Sequence, residues 1–252
     1  MTFQAACYLL LLGRLWSTGL AARYRFLSAY LLMEALGTGG LAWISIRSWT
    51  YTIAYFCITP LLWVLSYLVV LELCWLILED YPGIAAVGRR IVSWSLGGAV
   101  LIAGLFAAYG LAARGGAIQL LRSFSIVHFA VRVGVMFFLL VILFFVYRYR
   151  LRLPRNRRLY GIGYALCWGL VLVSDELSAQ FGYRVELYAN YAELSVVSVL
   201  LIAGAVMLNA GGEACPDKGA PDTDERSAEL HRRLAEMNRL LMSVGKRVNH
   251  GN

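Results

Sequence analysis

Long apolar runs, each close to the length of a helix that crosses a bilayer, recur along the chain with short arginine-rich or glycine-rich breaks between them. They read as spans from Phe3 to Leu20, Leu27 to Ile46, Ile53 to Leu78, Ile91 to Ala113, Ser125 to Tyr147, Tyr160 to Leu177 and Leu187 to Leu208. Each is continuously apolar over roughly 20 residues, as a spanning helix requires, and none alternates over the roughly ten residues of a barrel strand. The expected fold is all-α: a polytopic membrane bundle of about seven helices over residues 1–208, a flexible linker over 209–223 and an amphipathic helix over 224–252.

Composition agrees with a lipid solvent. Hydrophobic residues make up 60% of the 252 and charged residues 15%, a balance that no single water-exposed core of this size accommodates. The net charge of +8 is carried mostly by Arg placed between the apolar runs, so it reports orientation in a bilayer and not a nucleic-acid footprint. Met1 to Ala6 has no basic side chain, and Arg14 interrupts the first run, which reads as a span and not as a signal peptide.

Orientation follows from the arginines. One side holds Arg23, Arg25, Arg89, Arg90, Arg148, Arg150, Arg152, Arg155, Arg157 and Arg158, whereas the other holds Arg47, Arg114, Arg122 and Arg184. The first side is expected to be cytoplasmic, which places the N-terminus outside and the tail inside. Trp16, Trp49, Tyr51, Trp94, Tyr147 and Tyr188 lie near run ends, where interfacial aromatics sit.

Within the runs, Gly161, Ala165 and Gly169, and likewise Ala99, Ala103 and Ala107, recur at helical spacing and let neighbouring backbones approach, either inside the bundle or at a dimer seam. Cys7, Cys57, Cys74, Cys167 and Cys215 form no CxxC pair and read as small apolar filler, with a Cys7–Cys57 bridge as the alternative. In the tail, Leu230, Leu234, Met237, Leu241, Val244 and Val248 alternate steps of four and three among charges. That seam makes an amphipathic helix, and a lone helix of this length needs a partner: a second copy, the membrane surface or another protein.

Ionisable groups inside a bilayer are costly, so each is expected to face the bundle and find a partner. Counting rise along the helices puts Arg14, Glu34 and Glu72 all about 10 Å from the arginine-rich face, on three different spans. An Arg–carboxylate cluster is expected there, acting as a structural cross-link or as a proton or ion relay. Toward the other face, His128 and Arg132 share one helix side, with Asp175, Glu176, Tyr188, Asn190, Tyr191 and Glu193 available opposite. These outline a polar pocket open to the outside, or else solvated acids beside a packed histidine.

The residue inventory also excludes functions. The only lysines, Lys218 and Lys246, are in the tail, so no span carries a retinal Schiff base. His231 and His250 are also in the tail, which leaves His128 alone in the spans and removes bis-histidine haem ligation and a multi-histidine zinc site. No metal, cofactor or nucleophile–base pair is expected. Glu79-Asp80-Tyr81 occupies the place of a receptor acid-Arg-Tyr motif but lacks the Arg.

Arg23-Tyr-Arg-Phe-Leu-Ser-Ala-Tyr-Leu, Leu71-Glu-Leu, Asp80-Tyr-Pro-Gly-Ile and Leu153-Pro-Arg-Asn together resemble an uncharacterised group of bacterial seven-span integral membrane proteins. The resemblance covers most of the membrane portion, implies a bacterial inner membrane, and lends no activity. The expected function is non-enzymatic sensing or scaffolding, in which an outward pocket or partner is coupled through the bundle to the cytoplasmic helix. The alternative is a transporter or proton or ion pathway using the intramembrane carboxylates.

Overall fold

In the computed structural model, the structure describes residues 2–44, 48–79, 94, 98, 116–148, 151, 153–181, 183–213 and, in the tail, 232, 233, 235, 236, 238 and 239. The described residues are helical, with no strand among them. Among the described residues, six helices are bounded: α1 (Thr2–Ser17), α2 (Arg25–Ala42), α3 (Trp49–Ile77), α4 (Gly116–Arg148), α5 (Arg155–Phe181) and α6 (Tyr183–Met207). Short 3-10 turns at Leu20–Ala22 and Ala210–Glu213 follow α1 and α6.

Among the described residues, three of the seven expected segments are long and apolar enough to cross a membrane: Trp49–Ile77, Val127–Arg148 and Leu187–Met207. Only 28%, 22% and 22% of their most apolar windows is buried in the protein, so most of their side chains need an apolar surrounding other than the protein itself. α1 has 16 residues, roughly 24 Å of helix. α5 opens on the charged run Arg155-Asn-Arg-Arg and carries Asp175 and Glu176 near its end, which dilutes its apolar character. The expected run from Ile91 to Ala113 lies outside the described residues apart from Trp94 and Gly98.

Successive helices pack as neighbours and α6 returns to α1, so the six close into a ring, with α3 also touching α5 across it. Leu15, Leu31, Val69, Val70, Leu73, Leu76, Val135 and Leu139 fill the centre and are fully buried. Outward faces carry Phe3, Leu36, Phe137, Phe144, Val199 and Val206, all exposed, the inverse of what water favours. Trp16, Trp49, Trp94, Tyr147 and Tyr188 are exposed as well.

Local chemistry sets the helix ends. Thr18 Oγ1 donates to the Arg14 carbonyl at 2.8 Å, and Gly19, at φ 71°, takes the left-handed turn that releases the chain from α1. Ser48 caps α3 by accepting from the Tyr51 amide at 3.1 Å. No side chain of α2's own flank caps it; the buried Glu72 of α3 does so, accepting from the Phe26 and Leu27 amides at 3.0 and 3.1 Å. A carboxylate at that position satisfies free N–H groups and complements the helix dipole.

The small-residue stripe of α5 works inside the bundle. A methyl group placed at Gly161 would touch Leu73 and Leu143, and one at Gly169 would touch Met136, so these glycines admit α3 and α4 side chains. Cys7, Cys57, Cys74 and Cys167 are free thiols, with Cys7 buried and Cys57 exposed.

Gly161 and Gly163 lie on the same helix, yet nothing stands within 4 Å of a Cβ built at Gly163. Gly161→Val is expected to destabilise the protein by about 1 to 3 kcal/mol through overpacking, and Gly163→Val by far less. Thermal unfolding of the two variants in the same detergent compares them directly.

Candidate functional site

Polar interior groups gather at two levels of the bundle. The first is the arginine-rich end, where the α1–α2 turn, the end of α3, the start of α5 and the turn after α6 meet. Pro154 precedes α5 and fixes where that helix begins, which turns the buried Asn156 and Arg157 inward. Arg157 donates to the Leu76 carbonyl at the end of α3 and to Glu79 Oε2. Arg23 reaches the same Glu79 oxygen at 2.8 Å.

Glu213 completes this knot from the other side of the chain. Its Oε2 lies 3.3 Å from Arg23 Nε and 3.6 Å from Arg157 Nε, and its Oε1 accepts from the Tyr24 hydroxyl. Burial, then the adjacent Glu213 carboxylate, push the Tyr24 hydroxyl far above the ordinary tyrosine range, so it stays a donor. Asn156 holds the turn itself: its Nδ2 donates to the Asn209 carbonyl at 2.6 Å, while Asn209 Oδ1 accepts from the Gly212 amide at 2.6 Å. Gly212 sits flush on Asn156 with no room for a side chain. Two guanidinium groups thus face two carboxylates, with each Arg touching both.

The second level lies deeper, toward the opposite end. Arg132 of α4 pairs with Asp175 of α5. Glu193 of α6 takes a hydrogen bond from Ser174 and lies within electrostatic reach of Arg132 and Asp175. Glu34 of α2 accepts from the Tyr30 hydroxyl at 2.8 Å, and Arg132 and Glu193 lie within electrostatic reach of it.

Several expected partners are elsewhere. Arg14, Glu34 and Glu72 do not form a cluster: Arg14 Nε donates to the Leu208 carbonyl at 3.1 Å, Glu72 is held by the amides that begin α2, and Glu34 belongs to the deeper group. Backbone donors and acceptors at helix ends compete for these charges, and they leave no mark in the residue pattern. Of the outer set, Arg132, Asp175 and Glu193 come together. His128 lies within electrostatic reach of Arg132 but hydrogen-bonds elsewhere: its Nδ1 accepts from Trp63 Nε1 at 2.7 Å and its ring stacks on Phe124 at 6.4 Å. Glu176 takes a hydrogen bond from Gln180 at 2.6 Å on the surface, and Tyr188 and Tyr191 are exposed.

The knot is the feature that residue patterns alone did not single out. Arg23 and Arg157 read as orientation charges, Glu79 as part of a chance motif and Glu213 as linker. The first residues of that stretch, Asn209 to Glu213, are instead folded against α5. A usable signal was the pair of acids, Glu79 and Glu213, standing at span ends on the most basic side. Leu230, Leu234, Met237, Leu241 and Val244 of the tail seam, and Cys215, lie outside the described residues. Arg232, Arg233, Ala235, Glu236, Asn238 and Arg239 are helical.

Among the described residues, no three His, Cys, Asp or Glu side chains stand together in a way that could hold a metal ion. Comparison of the chain with protein-family models, curated proteins and solved structures finds no match.

The arginines of the knot differ in burial, 8% exposed at the Arg157 side chain against 37% at Arg23. Removing one partner of a buried pair costs about 3 to 5 kcal/mol, whereas an exposed pair is worth about 1 kcal/mol or less. Arg157→Met is therefore expected to lower the unfolding midpoint severalfold more than Arg23→Met, as read by thermal unfolding in detergent.

Proposed function

We propose that this chain is a multi-pass inner-membrane protein of sensing or scaffold type, non-enzymatic, in which a polar group toward the outer face is coupled through the bundle to the cytoplasmic tail. The observation that carries this reading is Glu213. It sits six residues beyond α6, at the root of the tail, and is gripped by Tyr24, Arg23 and Arg157 from two other parts of the fold. A shift of α5 against the α1–α2 turn therefore changes the grip on the first residues of the tail.

Seven crossings, with the N-terminus outside, are part of the proposal. α3 and α4 run in the same direction, since Phe56 meets Phe124, Trp63 meets His128 and Tyr67 meets Gly134 in order. The chain between them has to return to the far end, which supports one more crossing between residues 80 and 115. The arginine-rich end is assigned to the cytoplasm by its excess of positive charge in short connections. The tail helix would then present its seam to a second copy, another protein or the inner membrane surface.

A transport or ion-pathway reading draws on Glu34 and Glu193, which have hydroxyl partners where an ion pair is expected. Glu72 weighs against it. Its carboxylate is committed to capping α2, which leaves no free acid among the described residues joining the deeper group to the cytoplasmic end.

A spin label at position 235, on the exposed helical part of the tail, tests the coupling in reconstituted vesicles. Asp175→Asn, at the far end of the bundle, is expected to change the label's mobility in the same direction as Glu213→Gln. A response to Glu213→Gln alone would sink the coupling. A cysteine at Arg155 that reacts only from the outside would sink the orientation.

A further inference from the structure

The hairpin between α4 and α5 carries positive charge that the fold leaves unmatched. Arg148, Arg155 and Arg158 are exposed there, whereas Arg157 turns inward to the knot. No Asp or Glu occurs in the chain between Asp80 and Asp175. Glu79 and Glu213 are taken up by Arg23 and Arg157. Among the described residues, no acid pairs with Arg148, Arg155 or Arg158.

Contacts between the two helices fix which side chains lie beside these arginines. Gly161 of α5 faces Leu143 of α4 and Gly169 faces Met136, with Arg132 paired to Asp175 further along. α4 and α5 are therefore antiparallel, and Arg148 stands level with the first turn of α5. In an antiparallel pair of right-handed helices, the residue after each contact position turns to the same side of the pair. Phe144 follows Leu143 and Ile162 follows Gly161, and both are exposed. At helical spacing along that side stand Arg155, Arg158, Ile162 and Leu166 on α5, with Phe144 and Arg148 on α4, all exposed. One outward face thus holds three guanidinium groups at the arginine-rich end and apolar side chains directly beneath them.

That order selects the occupant. Water solvates the arginines but not the apolar strip, and hydrocarbon does the reverse. A soluble acidic partner matches the arginines alone. An anionic phospholipid matches both parts, because its phosphate accepts the forked guanidinium donors while its chains lie against the apolar side chains.

We propose that the outer face of the α4–α5 hairpin binds the phosphate headgroup of an anionic phospholipid through Arg148, Arg155 and Arg158, with the acyl chains along Phe144, Ile162 and Leu166. The inference rests on the bilayer placement in the proposed function, and not on its orientation or its coupling. A cysteine at Arg155 that reacts only from the outside would overturn the orientation and leave this site standing.

Thermal unfolding of the full chain in a neutral detergent, titrated with phosphatidylglycerol or with phosphatidylcholine of the same acyl chains, tests the site. Phosphatidylglycerol is expected to raise the unfolding temperature saturably, with phosphatidylcholine giving no such rise. Arg155→Gln with Arg158→Gln is expected to raise the half-saturating concentration about 25-fold, at about fivefold for each arginine beside an anionic headgroup. Arg148→Gln alone, at about fivefold, keeps the test decisive should the double variant fail to fold. Arg25→Gln, which removes an exposed arginine of α2 outside this face, is expected to leave the half-saturating concentration unchanged. No saturable rise, an equal rise with phosphatidylcholine, an unchanged midpoint in the hairpin variants or an equal loss in Arg25→Gln would overturn the proposal. An equal rise from glycerol phosphate would assign the arginines to a free anion, and one from polyglutamate to an acidic protein segment; either result would overturn the lipid.

Discussion

Arg157 is the side chain on which the arginine-rich end of the bundle depends. From the first turn of α5 it reaches the Leu76 carbonyl of α3, the Glu79 carboxylate and the Glu213 carboxylate. A buried guanidinium is tolerated only when its charge is met, and here Nη1 and Nη2 hydrogen-bond to the Leu76 carbonyl and Glu79 while Nε lies beside Glu213. These needs draw the end of α3 and the turn after α6 together around it, because neither segment alone supplies enough acceptors. Arg23 and Tyr24 follow from the same need, since Glu213 must in turn be satisfied.

The same rule shapes the rest of the interior. Away from water, a helix end with free N–H or C=O groups is as demanding as a charge. Glu72 answers the start of α2, and Arg14 answers the end of α6. These two contacts fix how deep α2 sits against α3 and α6 against α1, and so set the level at which Glu34 enters the bundle. Packing follows, with Gly161 and Gly169 giving way to Leu73 and Met136.

Helical character and three of the seven expected apolar rods were legible in the residues, because composition and period carry them directly. So was the meeting of Arg132 with Asp175, where two opposite charges on successive helices had few rivals. Placing Arg14 with Glu34 and Glu72 went astray for a physical reason: depth counted along single helices ignores their relative offset, and backbone groups compete for side-chain charge invisibly. His128 shows the limit of grouping by polarity, as its ring is held by the Trp63 indole and Phe124 in an aromatic stack. Glu213 was hidden by its glycine-rich setting, which reads as linker although Asn156 and Asn209 fold it into a turn.

A double-mutant cycle on Arg157 and Glu213 bears on the central claim most directly, since it isolates the grip between bundle and tail root from everything else each residue does. With Arg157→Met, Glu213→Gln and the pair compared by equilibrium unfolding, the clamp predicts a coupling energy above about 1 kcal/mol. Effects that simply add, within about 0.5 kcal/mol, would mean that the two charges do not act on one another and that the tail is not anchored as described.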